Sequence, residues 1–356
     1  MSAPDTVAAL QERIRAAAAA RAPLRPRGGG SKDFYGNEPR GEVLDTRAHA
    51  GIVSYEPSEL VVTARCGTPL AELEAELARH GQMLAFEPPR FSPQATLGGC
   101  VAAGLSGPRR AAAGAVRDFV LGARLLDGAG RDLAFGGQVM KNVAGYDLSR
   151  LLAGSLGTLG VILEVSLKVL PRPATERTLR MELDEAHALE SANRWAGQPL
   201  PVSATAWTDG VLSVRLSGAE SAVRAAAARI GGDAMEPAAA AAFWEGVREQ
   251  SHPFFGDATP LWRLSLPSTA PAITLPGRQL TEWGGSLRWW KTTAAADEVR
   301  SAAQSVGGSA ILFRGGDRAG GVFHPLTPAL EKLHRGLKAV FDPSGILSPG
   351  RLYPGL

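Results

Sequence analysis

The residues best placed to do chemistry in this chain are glycines and the polar groups beside them. Between residues 96 and 162 stand Thr96-Leu97-Gly98-Gly99, Gly104-Leu105-Ser106-Gly107, Lys141-Asn142-Val143-Ala144-Gly145-Tyr146-Asp147 and Gly154-Ser155-Leu156-Gly157-Thr158-Leu159-Gly160-Val161-Ile162. Arg27-Gly28-Gly29-Gly30-Ser31-Lys32 precedes them. A peptide without a Cβ can lie directly against a ligand. Three glycines in a row reach left-handed conformations and can aim successive N–H groups at one anion, with Arg27 and Lys32 adding charge. The small residues Cys100, Val101, Ala102 and Ala103 let backbone amides approach phosphates. The turn at 154–160 runs into an apolar segment and suits an adenine or ribose. Each stretch alone also reads as an ordinary turn or a tight packing site. Their co-occurrence points to a large anionic cofactor, a dinucleotide, along the first half of the chain.

Two familiar nucleotide signatures are missing. No strand opens into G-x-G-x-x-G with an acidic residue downstream, so the site is not of the Rossmann type. No G-x-x-x-x-G-K-[ST] occurs, which disfavours ATP.

These loops need a framework. Residues 5–20 read as an amphipathic helix with Val7, Leu10 and Ile14 on one face. Residues 59–65 read as a strand. A helix follows, with Thr68 as N-cap, Pro69 at its first position and Leu70, Leu73 and Leu77 as its apolar face. Asp127-Gly128-Ala129-Gly130 links two strands as a hairpin. Residues 161–169 alternate as a half-buried strand with Val161, Leu163, Val165, Leu167 and Val169 on one face. Pro171-Arg172-Pro173 breaks the pattern. Beyond it, strands near 202–207, 211–216, 261–266, 286–290 and 310–314, with helices at 219–230, 237–250 and before the last strand, predict an α+β domain, one antiparallel sheet with helices on one face. Thr327-Pro328 opens a last helix carrying Leu330, Leu333, Leu337 and Val340. The apolar tail after it is expected to fold back on the body.

A chain of 356 residues favours two domains. Its 38 basic and 35 acidic residues nearly cancel, and no Lys/Arg cluster interleaves with aromatics, so nucleic acid is not an expected partner. The two cysteines, Cys66 and Cys100, suffice for neither a disulfide framework nor an iron–sulfur site and read as small buried residues. The N-terminus lacks a signal-peptide pattern, and no apolar run is long enough to span a membrane. The expected location is the cytoplasm, with any membrane association made through a partner.

As a set, RPRGGGSK (25–32), SPQATLGG (92–99), GLSGPRR (104–110), VRDFVLGARLLDGAGR (116–131), MKNVAGYDLSRLLAGSLGTLGVI (140–162) and FDPSGILSPGRLY (341–353) resemble the FAD-linked oxidases of the PCMH/vanillyl-alcohol-oxidase type, and within them the FAD-binding subunits of bacterial glycolate oxidases. The resemblance implies a two-part PCMH-type FAD-binding domain over 1–172, a smaller α+β cap over 173–340, and a tail, 341–356, packed back on the body. It assigns Arg27, Gly28, Gly29, Gly30 and Ser31 to a first pyrophosphate loop and Pro93, Thr96, Leu97, Gly98 and Gly99 to a second. Gly104, Ser106 and Gly107 match a turn near flavin and phosphates, and Gly160, Val161 and Ile162 a strand edge beside the adenine. Lys141 matches a position facing a phosphate or the electron-rich flavin edge; it reads equally as a surface lysine. Many relatives carry a histidine after the first loop that bonds covalently to the flavin. Ser31 and Lys32 stand there in this chain, which predicts non-covalent FAD. The implied reaction is oxidation of glycolate, a small 2-hydroxy acid, with electrons passed to a larger FAD subunit and an iron–sulfur subunit. A stand-alone 2-hydroxy acid dehydrogenase and a non-catalytic FAD-binding assembly subunit are the alternatives.

The chain departs from the pattern in two respects: in the closing motif Ser348-Pro349-Gly350 stands where relatives often have Asn-Pro-Gly, and the second domain also differs. Relatives that oxidise 2-hydroxy acids on their own carry a metal-binding G-D-G-N-x-H element, whereas this chain has Arg314-Gly315-Gly316-Asp317-Arg318-Ala319-Gly320-Gly321. Its histidines form no H-x-x-x-H pair, so no metal site is expected. Hydride abstraction needs a base at the hydroxyl and a cation for the carboxylate. Arg263, Arg288 and His252 are the candidates on the substrate side. Each arginine reads equally as stacked on a neighbouring tryptophan or held in an ion pair.

Overall fold

The computed structural model describes residues 3–137 and 147–356. The chain forms two compact units, each assembled from separate segments. Unit 1 comprises Met1–Leu105, Ala115–Pro171 and Pro325–Leu356; unit 2 comprises Ser106–Gly114 and Arg172–His324. The division falls at Pro171/Arg172, but the expected boundary at 340 falls at 324, and nine residues from the glycine-rich region belong to unit 2. Linear sequence cannot reveal such an exchange, because it depends on which surface a short segment is held against.

Unit 1 is built on a five-stranded antiparallel sheet in the order Ile52–Glu56, Val61–Arg65, Val161–Lys168, Val120–Leu126, Asp132–Gly136. The helix Ala3–Ala20 buries Val7, Leu10, Ile14 and Ala17 against Leu126, Val161, Leu163, Ile346 and Leu347. Burial of each large aliphatic side chain is worth roughly 1.5–3 kcal/mol. The central strand Val161–Lys168 is not half-buried as its alternation predicts: Ile162 and Ser166 on its second face are also buried. Ser166 is satisfied there by the Thr63 hydroxyl at 2.8 Å. The helix Leu70–Arg79 buries Leu70, Leu73 and Leu77 as expected, but Pro69 stands at its N-cap. The Thr68 hydroxyl instead accepts from the Gly51 N–H at 2.9 Å.

The tail closes unit 1. Leu24–Arg27 pairs in parallel with Glu42–Asp45, and Leu347 extends the pairing from the other side of Leu24. Asp342, its carboxylate wholly buried, accepts from the N–H groups of Ile346 and Leu347 and from Lys338 Nζ at 2.7 Å. The buried Arg351 guanidinium donates to the carbonyls of Asp33, Tyr35 and Asn37. The last helix, Pro328–Phe341, is capped by Thr327 and buries Phe341. Its predicted apolar face turns outward: Leu330, Leu333 and Val340 are 47%, 63% and 66% exposed.

Unit 2 contains an eight-stranded antiparallel sheet in the order Asp233–Ala234, Thr175–Glu182, Val211–Gly218, Val202–Thr208, Arg278–Glu282, Leu287–Lys291, Leu261–Ser265, Ser309–Arg314. One face is covered by three helices. Glu185–Ala196 and Glu220–Ile230 bury Ala188, Trp195, Val223 and Ala226 with Leu179, Leu212, Val214 and Leu216; Ala296–Ser305 buries Val299 and Ala303 with Trp262, Leu264 and Leu312. The sequence reading overlooked the strands Thr175–Glu182 and Arg278–Glu282 and the helix Glu185–Ala196. That helix carries a readable signal in its Asp184 N-cap, which accepts from the His187 N–H at 2.9 Å.

Candidate functional site

A cleft in unit 1 encloses about 910 Å³ of non-protein space, part of it open to solvent. Of the positions singled out from sequence, the whole first loop from Arg27 to Lys32 lines it, as do Thr96, Gly98, Gly99, Gly160, Val161 and Ile162. The segments meet there because each glycine permits a close backbone approach. A Cβ on Gly28 would lie 2.1 Å from Thr96 Oγ1, and one on Gly29 would lie 1.5 Å from the Gln94 carbonyl oxygen. On Gly98 it would meet Cys66 Cβ at 2.7 Å, and on Gly160 it would meet Leu125 Cδ1 at 1.9 Å. The glycines therefore bring loop against loop. Their first role is to build the cleft wall, the tight-packing reading that each stretch alone also carried.

Thr96 caps the slim helix Leu97–Ala103, accepting from the Gly99 N–H at 3.3 Å. Gly98 donates to the Cys66 carbonyl at 2.8 Å, which pins the start of this helix to the end of the strand Val61–Arg65. Leu97 is fully buried beneath the cleft and Pro93 stands outside it, so neither lines it. Gly104 ends the helix at φ +67°, where its missing Cβ admits Gly154 at 2.8 Å. It too is a packing residue. Ser106 and Gly107 belong to unit 2, where the Gly107 carbonyl accepts from the Trp283 indole at 3.0 Å. Lys141 lies outside the described residues.

The charge of the cleft is one-sided. Among the described residues Arg25, Arg27, Lys32, Arg40 and Arg351 line it against a single acid, Asp33. Asp33 holds Arg27 Nε at 2.7 Å, and Lys32 Nζ lies 5.5 Å from the Phe91 ring centre. This concentration of positive charge, in a chain whose net charge is only +3, suits the pyrophosphate of a dinucleotide. Glycine-walled loops, a capped helix start and cations together fit such a ligand. Arg25, Arg40, Ser348 and Arg351 are cleft residues the sequence reading missed. Ser348 and Arg351 sit in the closing motif FDPSGILSPGRLY, whose resemblance to the FAD-linked oxidases was the available signal.

Cys66 also lines the cleft, yet its thiol and that of Cys100 are almost fully buried, and burial pushes both up to about 12. Neither is a thiolate at neutral pH. Among the described residues no group of His, Cys, Asp and Glu gathers as a metal site.

The three substrate-side candidates lie in unit 2 and fare differently. Arg288 is fully buried on the helix-covered side, where it donates to the carbonyls of Ala270 and Pro271 at 2.5 and 2.8 Å and pairs with Glu185 at 3.3 Å. It is a structural arginine, and the expectation of a substrate role is corrected by these partners. His252 caps a short turn, its Nδ1 accepting from the Phe254 N–H at 3.2 Å and its ring lying edge-on to Phe243. Burial lowers its pKa. Arg263 is half-buried on the other face of the sheet, 5.4 Å from the ring centre of Trp283.

The cleft and its fold define an FAD-binding protein: the sequence model of the FAD binding domain matches residues 2–136. The solved structure of alkyldihydroxyacetonephosphate synthase shares the fold, with a TM-score of 0.66 at 15% identity over 96% of this chain and 75% of that one. Glycolate oxidase subunit GlcE of Escherichia coli (strain K12) is 49% identical over 99% of both chains. This chain belongs to the family of that subunit. Partial likenesses, each 34% identical, extend to glycolate oxidase subunit GlcD of Bacillus subtilis, over 45% of this chain and 34% of that protein, and to D-lactate dehydrogenase of Archaeoglobus fulgidus, over 42% and 34%.

Proposed function

We propose that this chain is the FAD-binding subunit of a glycolate-oxidising enzyme and that FAD lies in the cleft of unit 1. The observation that carries the reading is the cleft itself, glycine-walled and lined, among the described residues, by five cations and one acid. Bound FAD supplies the two-electron acceptor for a hydride from C2 of the 2-hydroxy acid. The chain's own residues do the holding. Arg27 and Lys32 face the pyrophosphate with Arg25 and Arg40 beside them, the 28–30 and 98–99 backbones bring N–H groups close, and Gly160–Ile162 with Leu156 and Gly157 flank the adenosine end. Unit 1 is thus the cofactor domain and unit 2 the substrate-side domain.

Ser31 and Lys32 leave no histidine beside the first loop to bond the flavin, so the cofactor is non-covalent. Acid precipitation is expected to leave the yellow colour in the supernatant; colour retained in the pellet contradicts this.

Electrons leave through other subunits, a larger flavin subunit and an iron–sulfur subunit. Two buried cysteines cannot hold a cluster in this chain. Among the described residues no helix is long and apolar enough to cross a membrane, and any membrane attachment is made through a partner. The test is an anaerobic flavin spectrum before and after glycolate. Bleaching supports a catalytic subunit. Flavin that binds but is not reduced, even in the assembled complex, replaces this reading with an assembly role.

A further inference from the structure

A buried imidazole stands directly behind the wall of the cleft in unit 1. His49 is 1% exposed, and neither Nδ1 nor Nε2 has a hydrogen-bond partner among the described residues. Buried polar atoms are nearly always paired, so an exception asks for a reason. The backbone around His49 supplies one. The His49 N–H donates to the Thr46 carbonyl at 3.1 Å and closes a turn, and the Thr46 N–H donates to the Arg27 carbonyl at 3.0 Å. On the other side the Gly67 N–H donates to the His49 carbonyl, and the adjacent Cys66 carbonyl accepts from the Gly98 N–H, both at 2.8 Å. Arg27, Thr46, Cys66 and Gly98 all line the cleft. The two glycine loops, 28–30 and 98–99, therefore rest on one turn. The fit beneath it is close: a Cβ on Gly67 would lie 2.5, 2.6 and 2.8 Å from the carbonyl oxygens of Thr46, Arg47 and His49.

Three strands bring charge to the ring. Arg65 ends the strand Val61–Arg65, and Glu164 is its cross-strand partner on Val161–Lys168. Glu164 also pairs at 3.3 Å with Arg124 of the strand Val120–Leu126. On the turn itself Asp45 and Arg47 are exposed and paired with each other at 2.6 Å. Burial first, then Arg65, lowers the pKa of His49 from 6.5; Glu164 opposes them and Arg124 adds to the lowering. The Cys66 thiol, pushed up to about 12, takes no part at neutral pH. An imidazolium has two N–H donors. This site offers neither of them an acceptor, and a buried charge without a partner is driven toward water. Histidine is the side chain whose ordinary titration falls between pH 5 and 8. Among the described residues none lines the cleft.

We infer that His49 is a positioning residue for the cofactor cleft: the neutral ring keeps the Thr46 turn against both glycine loops, and protonation carries the ring to water, draws the turn off Arg27 and Gly67, and releases the bound dinucleotide. That this dinucleotide is FAD rests on the functional reading given above. The chain without FAD takes up a proton that the FAD-bound chain excludes. Affinity is therefore complete above the titration and is lost below it.

The test is equilibrium dialysis of FAD against the full chain at pH 7.5, 6.5 and 5.5, with far-ultraviolet circular dichroism read on the same samples. In the parent protein, affinity is expected to fall by up to about tenfold per pH unit below a midpoint under 6.5. The fold stays intact, and FAD rebinds on return to pH 7.5. His49→Leu holds FAD equally at all three values. Arg65→Gln moves the midpoint up, because a cation that opposed protonation is gone, and Glu164→Gln moves it down. A merely structural role would not produce these opposite shifts, and they carry the test where His49→Leu fails to fold. His187→Asn, an exposed histidine of unit 2 paired with Asp184, leaves the profile unchanged. Equal binding by the parent at pH 7.5 and 5.5 overturns the inference. So does a parental profile in folded His49→Leu, a shift of the Arg65→Gln and Glu164→Gln midpoints in the same direction, or loss of FAD only as the chain unfolds. A parent chain that binds no FAD at pH 7.5 overturns the FAD reading, and this inference with it.

Discussion

Gly29 shows how demanding the cleft is at single positions. Alanine there would put a Cβ 1.5 Å from a backbone oxygen of the neighbouring loop, and backbone cannot move aside as a flexible side chain can. Gly29→Ala is expected to cost about 1–3 kcal/mol or more and to yield protein without flavin, read as the ratio of visible to ultraviolet absorbance. Gly81 has φ +65° but nothing near its absent Cβ, so Gly81→Ala should lose about 1 kcal/mol and keep its flavin. At the two thiols the physics runs the other way. Burial holds Cys66 and Cys100 protonated, so neither should react with a thiol reagent at pH 8 until urea unfolds the chain. Rapid labelling of folded protein would contradict the burial.

At the scale of elements, the loop before Gly51 hides a titratable group. His49 is 1% exposed, and neither of its ring nitrogens finds a partner among the described residues. Burial lowers its pKa from 6.5, Arg65 and Arg124 push the same way, and only Glu164 opposes them. The unfolded chain then takes up a proton near pH 6.5 while the folded chain does not. Stability contributed by the neutral ring is complete above that pH and is lost as pH falls through it toward the lower folded value. The loss approaches about 1.4 kcal/mol per pH unit. Urea midpoints at pH 7.5 and 5.5 should therefore differ more in the parent protein than in His49→Leu; equal differences would place the effect elsewhere. The last helix makes a related point. Its spacing identifies an apolar face, but what anchors the helix is Phe341, Lys338 and the edge-on contact of His334 with Tyr353, so Leu333 and Val340 stand in solvent.

For the molecule as a whole, the tail is what returns the end of the chain to its beginning. Asp342 binds two backbone N–H groups and the Lys338 ammonium with no exposure of its own. Asp342→Ala should cost about 3–5 kcal/mol, because it leaves a buried cation without its counter-charge. Lys338→Met in the same chain should recover part of that loss, as measured by thermal or urea unfolding. By itself the sequence determined the glycine loops, the strand and helix periods on either side of Pro171 and a dinucleotide site, since turn chemistry and hydrophobic period are local properties written in neighbouring residues; the class of fold and the FAD reading came from the resemblance of its motifs to a family. Only the tertiary structure decided that Gly28, Gly29, Gly98 and Gly160 are small for the sake of one another's segments, and that Arg288 is occupied by carbonyls. It alone showed that residues 106–114 join unit 2, that Ser348 and Arg351 reach the cleft, and that the last helix faces outward. These depend on which surfaces meet. A residue's neighbours in sequence set its conformation, but its neighbours in space set what its charge, its hydrogen bonds and its missing atoms are for.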